Sequence, residues 1–270
     1  MDQSNEFPKT IWFLWFQGID AAPFIVKKCY ESWIKHNPAW NVILLDENNL
    51  ADYHLIKLPD IAPQAQSDII RINLLATHGG VWVDATCFCM KPLDTWIGGC
   101  MATGFFAFNK PGPDRMIASW FLACNKNNYI AAVYQKEVNR YWEMNKQLRL
   151  TENSNWKFLD KYLAKRDTKI WFGFFVTRVL CIYPYFWFHY LFEKIYRDDL
   201  KVKEIWDHTA KISADLPHAL QFSGLLNPIN QEIKKSIDTP ETPIYKLTWK
   251  YGANECTPGS ILSYLLKSIP

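Results

Sequence analysis

Residues 67–94, SDIIRINLLATHGGVWVDATCFCMKPLD, set an apolar helical run, a double glycine and a hydrophobic triplet end to end. No other stretch restricts the fold as much. Asp68 and Arg71 stand three positions apart, so in a helix both project from one face. Ile69, Ile70, Ile72, Leu74, Leu75 and Ala76 supply the apolar positions that pack such a helix. Gly79 and Gly80 end it, because a helix C-terminus favours a residue that tolerates positive φ. Val81-Trp82-Val83 reads as a short buried strand, with Asp84 where that strand leaves the core. Open α/β sheets bind ligands outside the carboxyl ends of their strands. A carboxylate there, approached through an Asp/Arg helix face, marks a polar-ligand site.

The neighbouring segments supply matching elements. Residues 10–16, TIWFLWF, read as a buried first strand closed by Gln17-Gly18. Pro23 opens a helix whose broad face carries Phe24, Lys27, Tyr30, Trp33 and Ile34, and Asn37-Pro38 stops it. Residues 41–46, NVILLD, are the second strand. This βαβ unit predicts an α/β fold with a Rossmann-like, mostly parallel sheet flanked by helices. Neither the G-x-G-x-x-G fingerprint nor the P-loop pattern is present, so nucleotide phosphates would need another anchor. Residues 102–108 read as a strand, residues 110–113 as a turn, and residues 116–124 and 130–142 as helices. The division expected is a sheet-bearing core over 1–150 and a helical, aromatic-rich region over 151–270 packed on it.

A chain of 270 residues with 49% hydrophobic and 21% charged residues is globular, and a net charge of +3 gives no footprint for nucleic acid. Seven cysteines without regular spacing do not form a disulfide framework. Cys87 and Cys89 make a C-x-C pair with no second pair at zinc spacing, so buried, reduced thiols are expected. The N-terminal stretch shows no basic and apolar leader pattern, which makes the cytoplasm the default compartment. Residues 170–196 are long and aromatic, but Arg178, Pro184, His189 and Glu193 interrupt them. One or two core helices broken at Pro184 are expected there; an aromatic face resting on a bilayer is the alternative.

Four pieces together resemble the bacterial capsular polysaccharide synthesis family: Phe7-Pro8-Lys9-Thr10-Ile11-Trp12, Ser67-Asp68-Ile69-Ile70-Arg71, residues 79–86 (GGVWVDAT) and Lys91-Pro92-Leu93-Asp94. A fifth, Tyr245-Lys246-Leu247-Thr248-Trp249-Lys250, is similar to a motif near the end of that family. The family is related to sugar transferases with an Asp-x-Asp motif, including yeast initiating mannosyltransferases and glucosylating clostridial toxins.

The resemblance implies a GT-A fold and transfer of a sugar, with retention, from a nucleotide donor such as a uridine diphosphate sugar to a glycan or lipid-linked glycan acceptor. It makes Asp68, Arg71 and Asp84 the catalytic group. Trp15 would stack on the base, Asp68 would accept from donor-sugar hydroxyls, and Arg71 would stabilise that sugar and the diphosphate. Asp84 would hold the ribose and a divalent metal, Mn²⁺ or Mg²⁺, which suit a hard oxygen ligand. Gln17, Gly80, Ala85, Thr86, Lys246 and Lys250 complete the donor-binding set. One position departs from the wider pattern. Thr86 stands where the second Asp would be, and a hydroxyl is the weaker ligand. Asn254 and Glu255 are candidates to complete the metal site, with His208 and His218 behind them. Two other readings stay open: a catalytically silent nucleotide-sugar-binding subunit, which the missing carboxylate motivates, and a membrane-surface scaffold built on residues 170–196.

Overall fold

A computed structural model describes residues 6–54, 57–163 and 167–268, with the side chains of 160 and 161 set aside. Residues 1–5 of the N-terminal stretch discussed above lie outside the described residues. The elements run β1 (Thr10–Leu14), α1 (Phe24–His36), β2 (Asn41–Leu45), α2 (Leu50–Tyr53), α3 (Pro63–His78), β3 (Gly80–Val83) and β4 (Cys87–Cys89). They continue with β5 (Phe105–Gly112), β6 (Arg115–Cys124), α4 (Tyr129–Met144), β7 (Arg149–Leu150), α5 (Phe158–Leu163) and β8 (Ile182–Tyr183). The chain closes with α6 (Trp187–Asp198), α7 (Leu200–His208), α8 (Asp215–Phe222), α9 (Gln231–Asp238), β9 (Ile244–Lys246) and α10 (Ile261–Lys267).

The central sheet has the order β2-β1-β3-β6-β5. β1 pairs in parallel with β2 and β3, β6 is antiparallel to β3, and β5 is antiparallel to β6. Four of the five strands therefore point the same way, and β6 runs against them. The expected α/β fold, with a mostly parallel sheet between helices, is what forms. Side-chain alternation builds its two cores. Ile11, Phe13, Val81 and Val83 face one cluster with Trp33 of α1; Trp12, Leu14 and Trp82 face the other with α3, α4 and α6. With both faces buried, the sheet is the middle of three layers.

One strand was hidden from periodicity. Residues 116–124, expected as a helix, are most of β6. Its last eight residues are all buried, so the run carries no period-two polar signal and reads equally well as a buried helix. β5 likewise extends through the predicted turn to Gly112, which pairs with Arg115.

Gly79 and Gly80 do separate jobs. Gly79 leaves α3 at φ +70° and its carbonyl accepts the Trp12 indole N–H at 2.9 Å. Gly80 begins β3 at φ +92°, and a Cβ there would lie 2.6 Å from the Thr10 carbonyl oxygen. Its missing side chain is what lets β3 lie against β1, at the end of the strand away from Asp84.

Residues 170–196 split in two. α6 is core, burying Trp187, Phe188, Tyr190, Leu191, Phe192 and Ile195. Before it, a π-helical turn over Phe175–Leu180 ends at Cys181, whose φ of +52° breaks the helix ahead of Pro184. Phe174, Phe175, Val179 and Tyr185 of this segment are exposed. Among the described residues no helix is long and apolar enough to cross a membrane.

Candidate active site

A cavity of about 460 Å³ opens at the carboxyl ends of β1 and β3, within the size range of small-molecule sites. These strands carry the chain to opposite sides, β2 next to β1 and β6 next to β3, so the cavity sits where the strand order reverses. Trp15, Phe16 and Gln17 line it as the continuation of β1, and Asp84, Ala85 and Thr86 as the continuation of β3. Ser67, Asp68 and Arg71 enter from α3, and Ser119 from β6. Lys246 and Trp249 come from the C-terminal third.

Arg71 is the hub. Its Nη2 lies 3.2 Å from Asp68 Oδ1 and 3.2 Å from Asp84 Oδ1. The same nitrogen donates to Ser67 Oγ at 2.9 Å, while Nη1 donates to the Ser119 carbonyl at 2.6 Å and Nε to the Ser67 carbonyl at 3.2 Å. The guanidinium packs 5.1 Å from the Trp82 ring and its side chain is only 4% exposed. A planar fork with five N–H donors can hold this many partners at once; a lysine cannot.

Asp84 is held from both sides. Oδ1 accepts the Trp82 indole N–H at 3.0 Å, and Oδ2 accepts from Lys246 Nζ at 3.1 Å. Its backbone N–H donates to the Trp120 carbonyl at 2.9 Å, which ties the strand end to β6. Lys246 also donates to Thr86 Oγ1 at 2.6 Å. The lysine arrives by β-pairing: β9 is antiparallel to β4, Cys87 faces Lys246, and the Leu247 N–H donates to the Thr86 carbonyl at 2.8 Å. Burial alone would raise the Asp84 carboxyl, but Lys246, Arg71 and the Trp82 N–H hold it well below the usual carboxylate range. Burial alone would lower Lys246; the facing Asp84 carboxylate reverses this and keeps the ammonium charged.

Asp68 behaves in the opposite way. Burial pushes its carboxyl up to about 7 despite the pull of Arg71, and the Asp84 charge adds to the rise. Near neutral pH the cavity thus holds two cations against one full carboxylate and one that is partly protonated, a balance that favours an anion. In the unfolded chain such a carboxyl titrates near 4. Between about 4 and 7 the folded state is the better proton binder, so the Asp68 contribution is fully present below the lower value and lost as pH rises. Urea unfolding between pH 5 and 8 should show the stability of the unmodified chain falling with pH relative to that of Asp68→Asn, a comparison that cancels the opposite pull of the neutral His189. An unchanged slope in the variant would rule out Asp68 as its source.

Of the residues expected from sequence, Trp15, Gln17, Asp68, Arg71, Asp84, Ala85, Thr86 and Lys246 meet in this one cavity. Others do not. Gly80 supports strand packing, as described above. Lys250 is exposed and does not line the cavity, and Asn254 and Glu255 sit exposed in a short 3₁₀ turn. His208 bonds the Glu204 carbonyl of its own helix, and His218 packs on Trp120 and Phe222. Tyr183, Tyr185, Ser119 and His189 line the cavity without having been singled out. Burial and the nearby Arg115 and Arg71 charges push His189 down to about 3, so it is a neutral imidazole, and among the described residues its Nδ1 has no hydrogen-bond partner. The Trp15 indole N–H is likewise buried without one. Cys87 and Cys89 are buried free thiols, both pushed up to about 12 by burial.

The family described as Capsular polysaccharide synthesis protein matches residues 1–150 and 160–265. An initiation-specific alpha-1,6-mannosyltransferase of Candida albicans is 30% identical over 109 residues, covering 36% of this chain and 28% of that protein. An O-glycosyltransferase, braB, of Annulohypoxylon truncatum is 23% identical over 161 residues, covering 50% and 38%. The chain thus spans well under half the length of these two fungal relatives. Among solved structures, the PaToxG glycosyltransferase is similar at 14% identity and a TM-score of 0.40, over 97% of this chain and 86% of that one. With matches over both the sheet and the C-terminal third, including β4, β9 and every residue that meets at Asp84, the chain belongs to the capsular polysaccharide synthesis family.

Proposed function

We propose that this chain is a glycosyltransferase that moves a sugar from a nucleoside diphosphate donor to a hydroxyl of a surface glycan or lipid-linked glycan. The observation that carries this reading is the Asp84 carboxylate held between Arg71 and Lys246 in a cavity at the strand ends. In transfer, the bond from the anomeric carbon to the β-phosphate oxygen breaks and its electron pair stays on that oxygen. The acceptor oxygen forms the new bond, and its proton leaves to the phosphate or to solvent. Charge therefore grows on the departing diphosphate, where fixed cations lower the barrier.

Roles follow from position. Trp15 offers a face to the base, Asp68 receives or donates hydrogen bonds at the sugar hydroxyls, and Arg71 fixes the two carboxylates. Lys246 meets the diphosphate, Asp84 orients the ribose, and Gln17, Ala85 and Thr86 fill the donor wall. The family resemblance supports retention and a uridine diphosphate sugar. The exposed Phe174, Phe175 and Val179 are apolar side chains of a kind that suits contact with a membrane surface, where a lipid-linked acceptor would lie.

A panel of uridine and guanosine diphosphate sugars, assayed for release of free nucleoside diphosphate, tests the reading. One donor should be turned over, and Asp68→Ala should slow its release by about 10²-fold. A donor that binds without any release would favour the silent-subunit alternative. Neither binding nor release with any donor would defeat both.

A further inference from the structure

The two side chains that the family pattern assigns to a divalent metal are already joined by a cation. Lys246 Nζ stands 3.1 Å from Asp84 Oδ2 and 2.6 Å from Thr86 Oγ1. The other Asp84 oxygen carries Arg71 Nη2 at 3.2 Å and the Trp82 N–H at 3.0 Å. Both oxygens of the one carboxylate are therefore facing N–H donors. A metal bound there would have to displace the ammonium or lie beside two positive groups, with a neutral hydroxyl as its second protein ligand. Mg²⁺ and Mn²⁺ call for hard, mostly anionic oxygen donors in a near-octahedral set. Among the described residues no group of three or more His, Cys, Asp or Glu is placed to hold a metal ion. Asn254, a candidate to complete the set, lies exposed and does not line the cavity. The donor set does not fit a divalent cation.

Resting on the donor reading above, we infer that Lys246 occupies the metal's position and does its electrostatic work, so that the diphosphate is bound and released without a divalent cation. The lysine is built into place: β9 pairing fixes its backbone against Cys87, and only 16% of its side chain is exposed. The exchange of Asp for Thr at residue 86 then has a purpose, since a hydroxyl accepts from the ammonium without adding a second negative charge. The step balances without a metal. As the sugar–oxygen bond breaks, the electron pair left on the β-phosphate is met by the Lys246 ammonium, which stays protonated, with the Arg71 charge behind it.

Calorimetric titration of the full chain with uridine diphosphate and guanosine diphosphate, in EDTA and in Mn²⁺, decides the point. One nucleotide should bind with the same Kd, within about threefold, in both buffers. Lys246→Met should weaken that Kd about 10- to 100-fold in EDTA, as expected for losing a charge-assisted hydrogen bond. Thermal unfolding of the variant checks that it is folded, and the unmodified chain in the two buffers answers even if it is not. Binding that needs Mn²⁺ would overturn the metal-free assignment and leave the glycosyltransferase reading standing. Binding in neither buffer would overturn the nucleoside diphosphate reading and this inference with it.

Discussion

Asp84→Asn is expected to cut donor turnover by about 10²–10³-fold and to destabilise the fold by about 3–5 kcal/mol. The change keeps shape and removes charge. Arg71, 4% exposed, and Lys246, 16% exposed, then face each other's positive charge with no full carboxylate between them. An amide can accept from one of the two, but its NH₂ end turns a donor toward the other. The acid limb of the stability profile reports the same loss. Because the folded Asp84 carboxyl lies below its unfolded value, its contribution is present above about pH 4 and disappears as pH falls. From pH 6 to pH 3, chemical denaturation should show stability dropping further in the unmodified chain than in the variant, where the charging of buried His189 still contributes. If Asp84→Asn unfolds at the same denaturant concentration as the unmodified chain at pH 6, the carboxylate is not the counter-ion described above.

Arg71→Met is expected to be at least as damaging to the fold, by about 3–5 kcal/mol, through the same mechanism in reverse. Methionine fills part of the stem but leaves Asp68 and Asp84 without their shared cation. It also leaves the Ser119 carbonyl, which receives a 2.6 Å bond, without that donor. Arg71→Lys is the sharper probe. One ammonium on a flexible stem cannot reach the Ser67 and Ser119 carbonyls and both carboxylates together. The lysine variant should therefore recover part of the stability and keep no more than about a tenth of the turnover. Full turnover in Arg71→Lys would mean that only a charge is needed and that the fork geometry is incidental.

The parts of this structure that sequence reveals are those whose signal is local. β1, α1 and β2 carry their own punctuation, and the α3 helix, its glycine stop and the short β3 are spelled out within residues 67–84. Asp84 is placed by that grammar alone. β6 fails the same reading because burial on both faces erases alternation. The cavity's other wall fails for another reason. His189, Tyr183 and Tyr185 sit in a run whose aromatic density hides a break made by one left-handed residue, Cys181. The motif near residue 246 makes Lys246 an expected contact of a diphosphate and says nothing of Asp84. The lysine's bond to Asp84 spans 162 positions, and nothing near residue 246 announces it. Lys250 and Asn254, close to it in sequence, are exposed and do not line the cavity, although Trp249 beside Lys250 does.

The pairing of β4 with β9 also sets a clock. A ribosome adding about 5–20 residues per second takes roughly 8–32 s to pass from Asp84 to Lys246, given their separation of 162 positions. Throughout that interval the nascent β1–β3 region can form its local contacts, but the buried carboxylate has one of its two counter-ions still unmade. Closing so long a loop is among the slowest kinds of contact a chain makes. The cavity around Asp84 therefore stays incomplete until β9 has paired with β4.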